Sequence, residues 1–390
     1  MSAIVLGKAY PFYCPSKVLF GADTIKSLGT EAKQLGGRKA LIVTDPGVVQ
    51  AGLLKPVKDS LEAAGFPYVL YDQVKPEPPI GCVTEGVAKL KAEGCDLVVG
   101  IGGGSSMDVA KAISVVATND QTVHEMFGID LIKKRGLPKI LIPTTSGTGS
   151  EVTRVFVLTD EKDNTKKVGN SLYNLAEIAI VDPLLTLSVP PKVTADTGID
   201  ALVHAIETYV SVTATPFSDI LAERPIEWIS DYLPIAWAKG SDLEARYYLS
   251  LASLTAGMAF ASGGLGAVHA LAYVIGTEFR QSHGRSNAIM LPHVMRYNLP
   301  GNPTKFASIA ALMGKDIEGL SDREAAELAV EAVEDLLTTV GISYRLRDYG
   351  IKESDIPKLV EGGMKFARLF TVNPRDLTEA DVRSIYEGAY

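Results

Sequence analysis

Through the first half of the chain, short unbroken apolar runs alternate with longer segments whose apolar positions recur every three or four residues. Residues 39–44 (KALIVT), 96–101 (DLVVGI) and 139–143 (KILIP) have no polar alternation, which is the pattern of strands buried on both faces of a parallel sheet. Residues 67–71, 155–159 and 178–181 read as further strands, and a short KVLF piece at 17–20 precedes a glycine and a helical pattern. Helical periodicity spans 50–64 and 83–93 and resumes near Met107. Strands alternating with helices predict a parallel sheet with helices on both faces.

After Asp182-Pro183 the pattern changes. From residue 190 onward the apolar spacing predicts helices at 202–210, 219–236, 244–260, 268–275, 305–313, 323–340 and 382–387, with short connectors at 316–320, 343–346 and 353–356. No strand is predicted in this half. The expected architecture is an α/β N-terminal dinucleotide-binding domain, residues 1–187, followed by an all-α C-terminal domain, residues 188–390, with TLSVPP as a hinge.

Composition narrows the function. The chain has 390 residues, 46% hydrophobic and 22% charged, enough apolar content for a large core. A net charge of −8 argues against nucleic acid and membrane surfaces as partners, since both select clustered Lys and Arg. No apolar run has bilayer length, and the first residues lack a basic segment followed by a sustained apolar core. Three widely spaced cysteines without a CxxC argue against a disulfide framework and a thiolate metal site, so a cytoplasmic location is expected.

Three loops carry candidate chemistry at the ends of the predicted strands, where doubly wound sheets bind ligands. In residues 100–111 (GIGGGSSMDVAK), glycines allow close backbone approach to a phosphate, and the following helix points its free N–H groups at it. Ser105 and Ser106 add hydroxyls, and Asp108 falls in the first turn, where a carboxylate suits the helix dipole. A second loop, 143–153 (PTTSGTGSEVT), is dense in glycine and hydroxyls. Neither loop matches a P-loop or GxGxxG, so the pair indicates a dinucleotide site of another type, and a plain strand-to-helix turn is the alternative for each. Asp45, after the first strong strand, is placed to bind the adenosine ribose and would favour NAD over NADP, with an Asp-Pro-Gly turn as the alternative.

In TGIDALVHAIETYVS (residues 197–211), Asp200 and His204 lie four apart on one helix face. His269 and His283, fourteen residues apart, fall on one long helix face or on two successive helices. One carboxylate with three imidazoles suits Fe(II), Zn(II) or a similar ion. His124 and His293 are expected to be structural.

The motifs GGGSSMDVAK, PTTSGTGSEVT, AIVDP, TGIDALVHAIE, GAVHALAY and HGRSNAIMLP, in this order and over nearly the whole chain, resemble those of the iron-dependent (group III) alcohol dehydrogenases. The resemblance implies the dehydroquinate synthase-like fold, with Asp200, His204, His269 and His283 binding Fe(II) or sometimes Zn(II). It implies that Gly103, Gly104, Ser105, Asp108, Thr144, Thr145 and Thr148 line the NAD(P) site, with Lys167 a looser match to a cofactor lysine. The expected activity is NAD(H)-linked, metal-dependent hydride transfer to or from a small alcohol or aldehyde, by a homodimer or higher homo-oligomer. Tyr273 stands where many members carry a second histidine that is thought to relay protons, which makes it the candidate proton carrier. Other departures from the family pattern are Glu77, where an asparagine beside the cofactor is common, and residues 169–175 (GNSLYNL), in place of a Pro-containing segment. Arg280 and Arg285 flank His283, and an arginine there would bind a carboxylate or sulfonate on the substrate. Competing expectations are a hydroxyacid–oxoacid transhydrogenase, a non-redox dehydroquinate-synthase-like lyase and a binding protein without turnover.

Overall fold

A computed structural model describes residues 9–162 and 165–390. They form two compact units: residues 13–189, and residues 190–390 joined by residues 9–12. The short N-terminal piece belongs with the second unit, where Phe12 packs against Phe217 at 5.5 Å between ring centroids.

The first unit contains strands β1 (Lys17–Phe20), β2 (Ala40–Val43), β3 (Tyr68–Tyr71), β4 (Leu97–Gly102), β5 (Gly128–Ile129), β6 (Lys139–Pro143), β7 (Val155–Asp160), β8 (Thr165–Asn170) and β9 (Ile178–Val181). Its helices are α1 (Leu28–Gln34), α2 (Pro46–Gln50), α3 (Leu54–Ala63), α4 (Ile80–Ala92) and α5 (Gly104–Val116). The main sheet is parallel throughout, in the order β1-β9-β6-β4-β2-β3, with Ala40 opposite Leu97 and Gly100 opposite Leu141. Side chains alternate across it. Leu41, Val43, Val98 and Leu141 pack with Val83, Met107 and Ile113 of α4 and α5. Ile42, Val99, Ile140 and Ile180 pack with Leu28, Val57 and Leu61 of α1 and α3. Apolar layers on both faces explain why these strands carry no polar alternation. A small second sheet, β5-β8-β7, lies beside the main one in sequence, its β7–β8 pair antiparallel.

The second unit is helical: α6 (Pro191–Val210), α7 (Pro216–Ala238), α8 (Leu243–Gly263), α9 (Ala267–Phe279), α10 (His283–Asn298), α11 (Pro303–Leu312), α12 (Asp322–Thr339), α13 (Ile356–Met364) and α14 (Glu379–Gly388). Helix α6 is its axis, with every residue from Gly198 to Val210 buried. A helix buried on all sides is expected to be apolar all round. This one nevertheless carries Asp200, His204 and Glu207 inside. Buried polar groups of that kind must find partners or they cost stability.

Several elements differ from the sequence expectation. Helix α6 starts at Pro191, ahead of Gly198, and α5 starts at Gly104, ahead of Met107. The helix expected over 50–64 is divided by Gly52 at φ +74, between α2 and α3. Strands β5 and β8 and helix α13 were not expected, and α10 only as one of the two placements offered for His283. No single helix among the described residues is long and apolar enough to cross a membrane.

Candidate metal centre and cofactor loops

Helices α6, α9 and α10 bring the predicted ligands together. Asp200 and His204 stand one turn apart on α6, His269 lies on the first turn of α9, and His283 opens α10. Ser282 caps α10 by accepting from the Arg285 amide at 3.3 Å. Gly284 then allows close approach to α6, because a Cβ there would lie 2.1 Å from the Asp196 carbonyl oxygen. Ligand atoms of Asp200, His269 and His283 all lie within 4.8 Å of one another. His283 Nε2 is 3.7 Å from Asp200 Oδ1. The fourth predicted ligand, His204, adjoins this cluster: its Nε2 is 4.0 Å from Asp200 Oδ1, and its ring stacks on His269 at 5.0 Å.

Two further residues belong to the centre. The amide of Asn287, one turn beyond His283, donates to Asp200 Oδ1 at 2.7 Å and lies 3.2 Å from His269 Nε2 and 3.3 Å from His283 Nε2. Glu207 accepts from the Val268 amide through one oxygen and meets His269 Nδ1 through the other, both at 2.6 Å. Burial pushes the Asp200 carboxyl up, but the facing His204, His283 and His269 and the Asn287 amide outweigh it, leaving the group below its ordinary value. A carboxylate kept charged among imidazoles is a lone-pair donor set that fits a divalent ion such as Fe(II) or Zn(II).

Aromatic rings border the cluster. Tyr273 stacks on His283 at 5.5 Å and contacts Phe366 at 4.9 Å, while Phe260 lies 4.6 Å from His204. The two flanking arginines part company. Arg285 is buried, pairing through Nε with Asp196 at 2.7 Å and meeting the Tyr349 hydroxyl at 3.3 Å, which removes it as a candidate for substrate binding. Arg280 is exposed and sits in the left-handed region at φ 55, where it ends α9.

In the first unit, β4 runs into Gly102 at φ +146, and Gly103 precedes the first residue of α5 without a side-chain cap. The early N–H groups of α5 are therefore left for a ligand. The Thr144 amide donates to the Gly102 carbonyl at 2.9 Å, tying the second loop to the first. A Cβ on Gly104 would lie 2.9 Å from Thr148, and one on Gly103 would lie 3.7 Å from Thr145, so these loops are in contact. Ser105 is partly exposed at the helix start. Asp45 caps α2 by accepting from the Val48 amide at 3.1 Å, and it accepts from Ser106 Oγ at 2.9 Å. It is thus both a turn residue and a carboxylate fixed beside the glycine loop.

Asp108 does not lie in the first turn expected of it, because α5 starts at Gly104, and its carboxylate serves a different purpose. Its carboxylate accepts from Ser150 Oγ at 2.6 Å and the Val157 amide at 2.9 Å, and it faces Lys111 Nζ at 3.5 Å. Burial raises its pKa against the pull of Lys111 and these donors. It therefore locks α5 to the second loop and β7. Lys167 lies on β8 opposite Leu158, and the neighbouring Lys166 pairs with Glu77 at 2.5 Å. His124 pairs with Asp160 at 3.0 Å, and His293 meets the Tyr344 carbonyl at 2.8 Å.

Residues 15–183 match the iron-containing alcohol dehydrogenase family, and residues 194–390 match the C-terminal part of the Fe-containing alcohol dehydrogenase family. The chain belongs to the iron-containing alcohol dehydrogenases. It is an NAD-linked oxidoreductase that interconverts alcohols and aldehydes. It is 45% identical to long-chain-alcohol dehydrogenase 1 of Geobacillus thermodenitrificans (strain NG80-2), covering 95% of this chain and 94% of that one. It is 41% identical to 1,3-propanediol dehydrogenase of Klebsiella pneumoniae, over 98% of this chain and 99% of that one. The crystal structure of a 1,3-propanediol oxidoreductase superposes with a TM-score of 0.96 at 41% identity, over 98% of this chain and all of that one.

Glu207 and Asn287 escaped the sequence reading. Their signal was spacing: Glu207 is seven residues after Asp200 on the same helix stripe, and Asn287 is four after His283.

Proposed function

We propose that this alcohol dehydrogenase holds Fe(II), or Zn(II) in its place, with Asp200, His204, His269 and His283, and reduces a small uncharged aldehyde or oxidises the matching primary alcohol. The observation that carries this reading is the Asp200–His269–His283 cluster, three donor atoms within 4.8 Å of one another, the first two residues buried and the third partly exposed. A bound divalent ion would supply Lewis-acid polarisation of the substrate oxygen, and NAD(H) would accept or give the hydride. The remaining work belongs to the chain. Asp200 stays ionised among its imidazoles. Tyr273, held between His283 and Phe366, offers its Oη to hydrogen-bond the substrate or pass it a proton. Phe260 and Phe366 give the surroundings an apolar character that suits an uncharged substrate.

On the cofactor side, Gly103, Gly104, Ser105, Thr144, Thr145 and Thr148 cradle the phosphates at the start of α5, while Asp108 braces the second loop. The fixed carboxylate of Asp45 favours a free ribose over a 2′-phosphate, and Lys167 is a further cofactor contact in this reading. The three free thiols suit the cytoplasm. Strand β1 ends the main sheet with one side unpaired among the described residues, an edge on which two copies would join into a dimer.

A second reading, an anionic aldehyde, is favoured by Arg280, whose backbone is held in a strained conformation and which makes no ion pair among the described residues. The test loads the protein with Fe(II) or Zn(II) and compares kcat/KM for a neutral aldehyde and its carboxylate or sulfonate analogue, in wild type and Arg280→Ala. A preference for the neutral aldehyde that is unchanged by the substitution supports the first reading. A preference for the anion that collapses in Arg280→Ala establishes the second. Turnover with NADH and one aldehyde alone distinguishes either from hydride exchange between two substrates.

A further inference from the structure

We infer that Glu207 is a positioning residue that fixes the orientation and tautomer of His269, and through it the affinity of the centre for its metal. The inference rests on the assignment of Asp200, His204, His269 and His283 as ligands. Glu207 is buried, with no water-facing role open to it. One of its oxygens accepts the Val268 amide and the other faces His269 Nδ1, each at 2.6 Å. A carboxylate can only accept here, so Nδ1 must carry the proton and donate. The other ring nitrogen, Nε2, then has its lone pair directed at the centre, and it does face an N–H donor, the Asn287 amide, at 3.2 Å. Gly266 keeps the approach open: a Cβ there would lie 3.3 Å from the Glu207 carboxylate. Glu207 thus grips the start of α9 by backbone and ring together. It does so from the helix that also carries Asp200 and His204, so two ligands and the clamp on a third share one rigid element. A carboxylate behind a ligating imidazole raises the basicity of the ligand and fixes its ring, and its loss costs about 10–100-fold in metal affinity.

Glu207→Gln tests this at nearly constant shape. Its amide oxygen still accepts from Val268, which turns its NH2 toward Nδ1 and forces the proton to Nε2. Zn(II) affinity is measured by competition with a chromophoric chelator in wild type, Glu207→Gln and Asp200→Ala. Ring tautomers are read by NMR with 15N-labelled histidine, and the chain has only five histidines to assign. The expected result is Zn(II) binding weakened about 10–100-fold in Glu207→Gln, with loss of the Nδ1–H signature of His269 and an unchanged thermal midpoint of the metal-free protein. Wild-type affinity and an unchanged tautomer in Glu207→Gln would overturn the inference, provided Asp200→Ala abolishes binding. If Asp200→Ala binds Zn(II) as tightly as wild type, the ligand assignment itself fails. If Glu207→Gln does not fold, Glu207→Asp replaces it: its shorter carboxylate keeps the charge but cannot span both N–H groups, and Zn(II) affinity must then follow the Nδ1–H signature of His269, both kept or both lost; a change in one without the other overturns the inference.

Discussion

Gly284→Ala adds one methyl group immediately after a predicted ligand, and the structure fixes the direction of its effect. A Cβ at this position would lie 2.1 Å from the Asp196 carbonyl oxygen, 2.7 Å from its carbonyl carbon and 3.3 Å from the Asp200 Cβ. Ordinary contact begins at 3.4 Å, so the oxygen clash is about 1.3 Å too close. Its partner is backbone of a fully packed helix, which cannot swing aside as a side-chain tip would. Either α10 retreats from α6 or α6 bends, and in both cases His283 moves relative to Asp200. Metal–ligand distances tolerate only about 0.2 Å, so a shift approaching 1 Å should weaken Zn(II) binding at least about tenfold, or about 1.4 kcal/mol. Overpacking should also cost about 1–3 kcal/mol of stability. Intrinsic helix propensity works the other way, since Ala is favoured over Gly by up to about 1 kcal/mol. The two effects have opposite signs, which makes the outcome decisive. Chelator competition with Zn(II) and a thermal melt suffice. A variant that binds Zn(II) like wild type and melts at the same or a higher temperature would refute the close-packing argument.

Glu151 is fully buried with Oε2 unpartnered, and burial pushes it up to about 7 despite its own amide and Lys111. Because the folded pKa exceeds the unfolded one, the folded state holds the extra proton: its stabilising effect is complete below about pH 4.5 and is lost as pH rises through about 7, for a total near 3 kcal/mol. Urea melts across that window should therefore show stability falling with pH in wild type and a flatter profile in Glu151→Gln; equal slopes would contradict it. Gly104→Ala pushes a methyl group to 2.9 Å from Thr148 in the glycine loop, and should raise the Kd for NADH about tenfold, or about 1.4 kcal/mol, while Zn(II) affinity stays at the wild-type value. Arg285→Ala leaves the buried Asp196 carboxylate without its cation and with only the Ser282 hydroxyl donating to it, and should cost about 3 kcal/mol in a denaturant melt; a loss below about 1 kcal/mol would mean that the pair is not structural.

Legibility in the sequence followed burial and breakers. Strands β2, β4 and β6 were readable because two apolar layers leave no polar alternation along them. Strand β8, TKKVGN, hides because it has two lysines and a glycine and belongs to a small antiparallel pair rather than the core sheet. Helix α10 opens with His-Gly and contains Pro292, both of which read as interruptions. Proline costs α10 one hydrogen bond, yet tight packing around Ala288, Leu291 and Met295 keeps the helix whole. Helix α13 carries Gly362-Gly363 for a tertiary reason: a Cβ on either would press into Val274 or Leu271 of α9.

The candidate centre shows the limit of spacing as a signal. Asp200, His204 and Glu207 recur at four and then three residues, which on an ordinary amphipathic helix marks the solvent side. Ligand chemistry singled out the first two, and Glu207 was not singled out. What reverses the reading is the burial of α6 on every face: a polar stripe with no water before it must meet partners, and it meets His269 and His283 from helices sixty and more residues away. Asp108 makes the converse case. A first-turn position was a complete local explanation, but α5 starts earlier, at Gly104, and Ser150 and Val157, far along the chain, claim the carboxylate. In both places residue type was readable from sequence, whereas the role was set by which distant donor the fold brings within 3 Å.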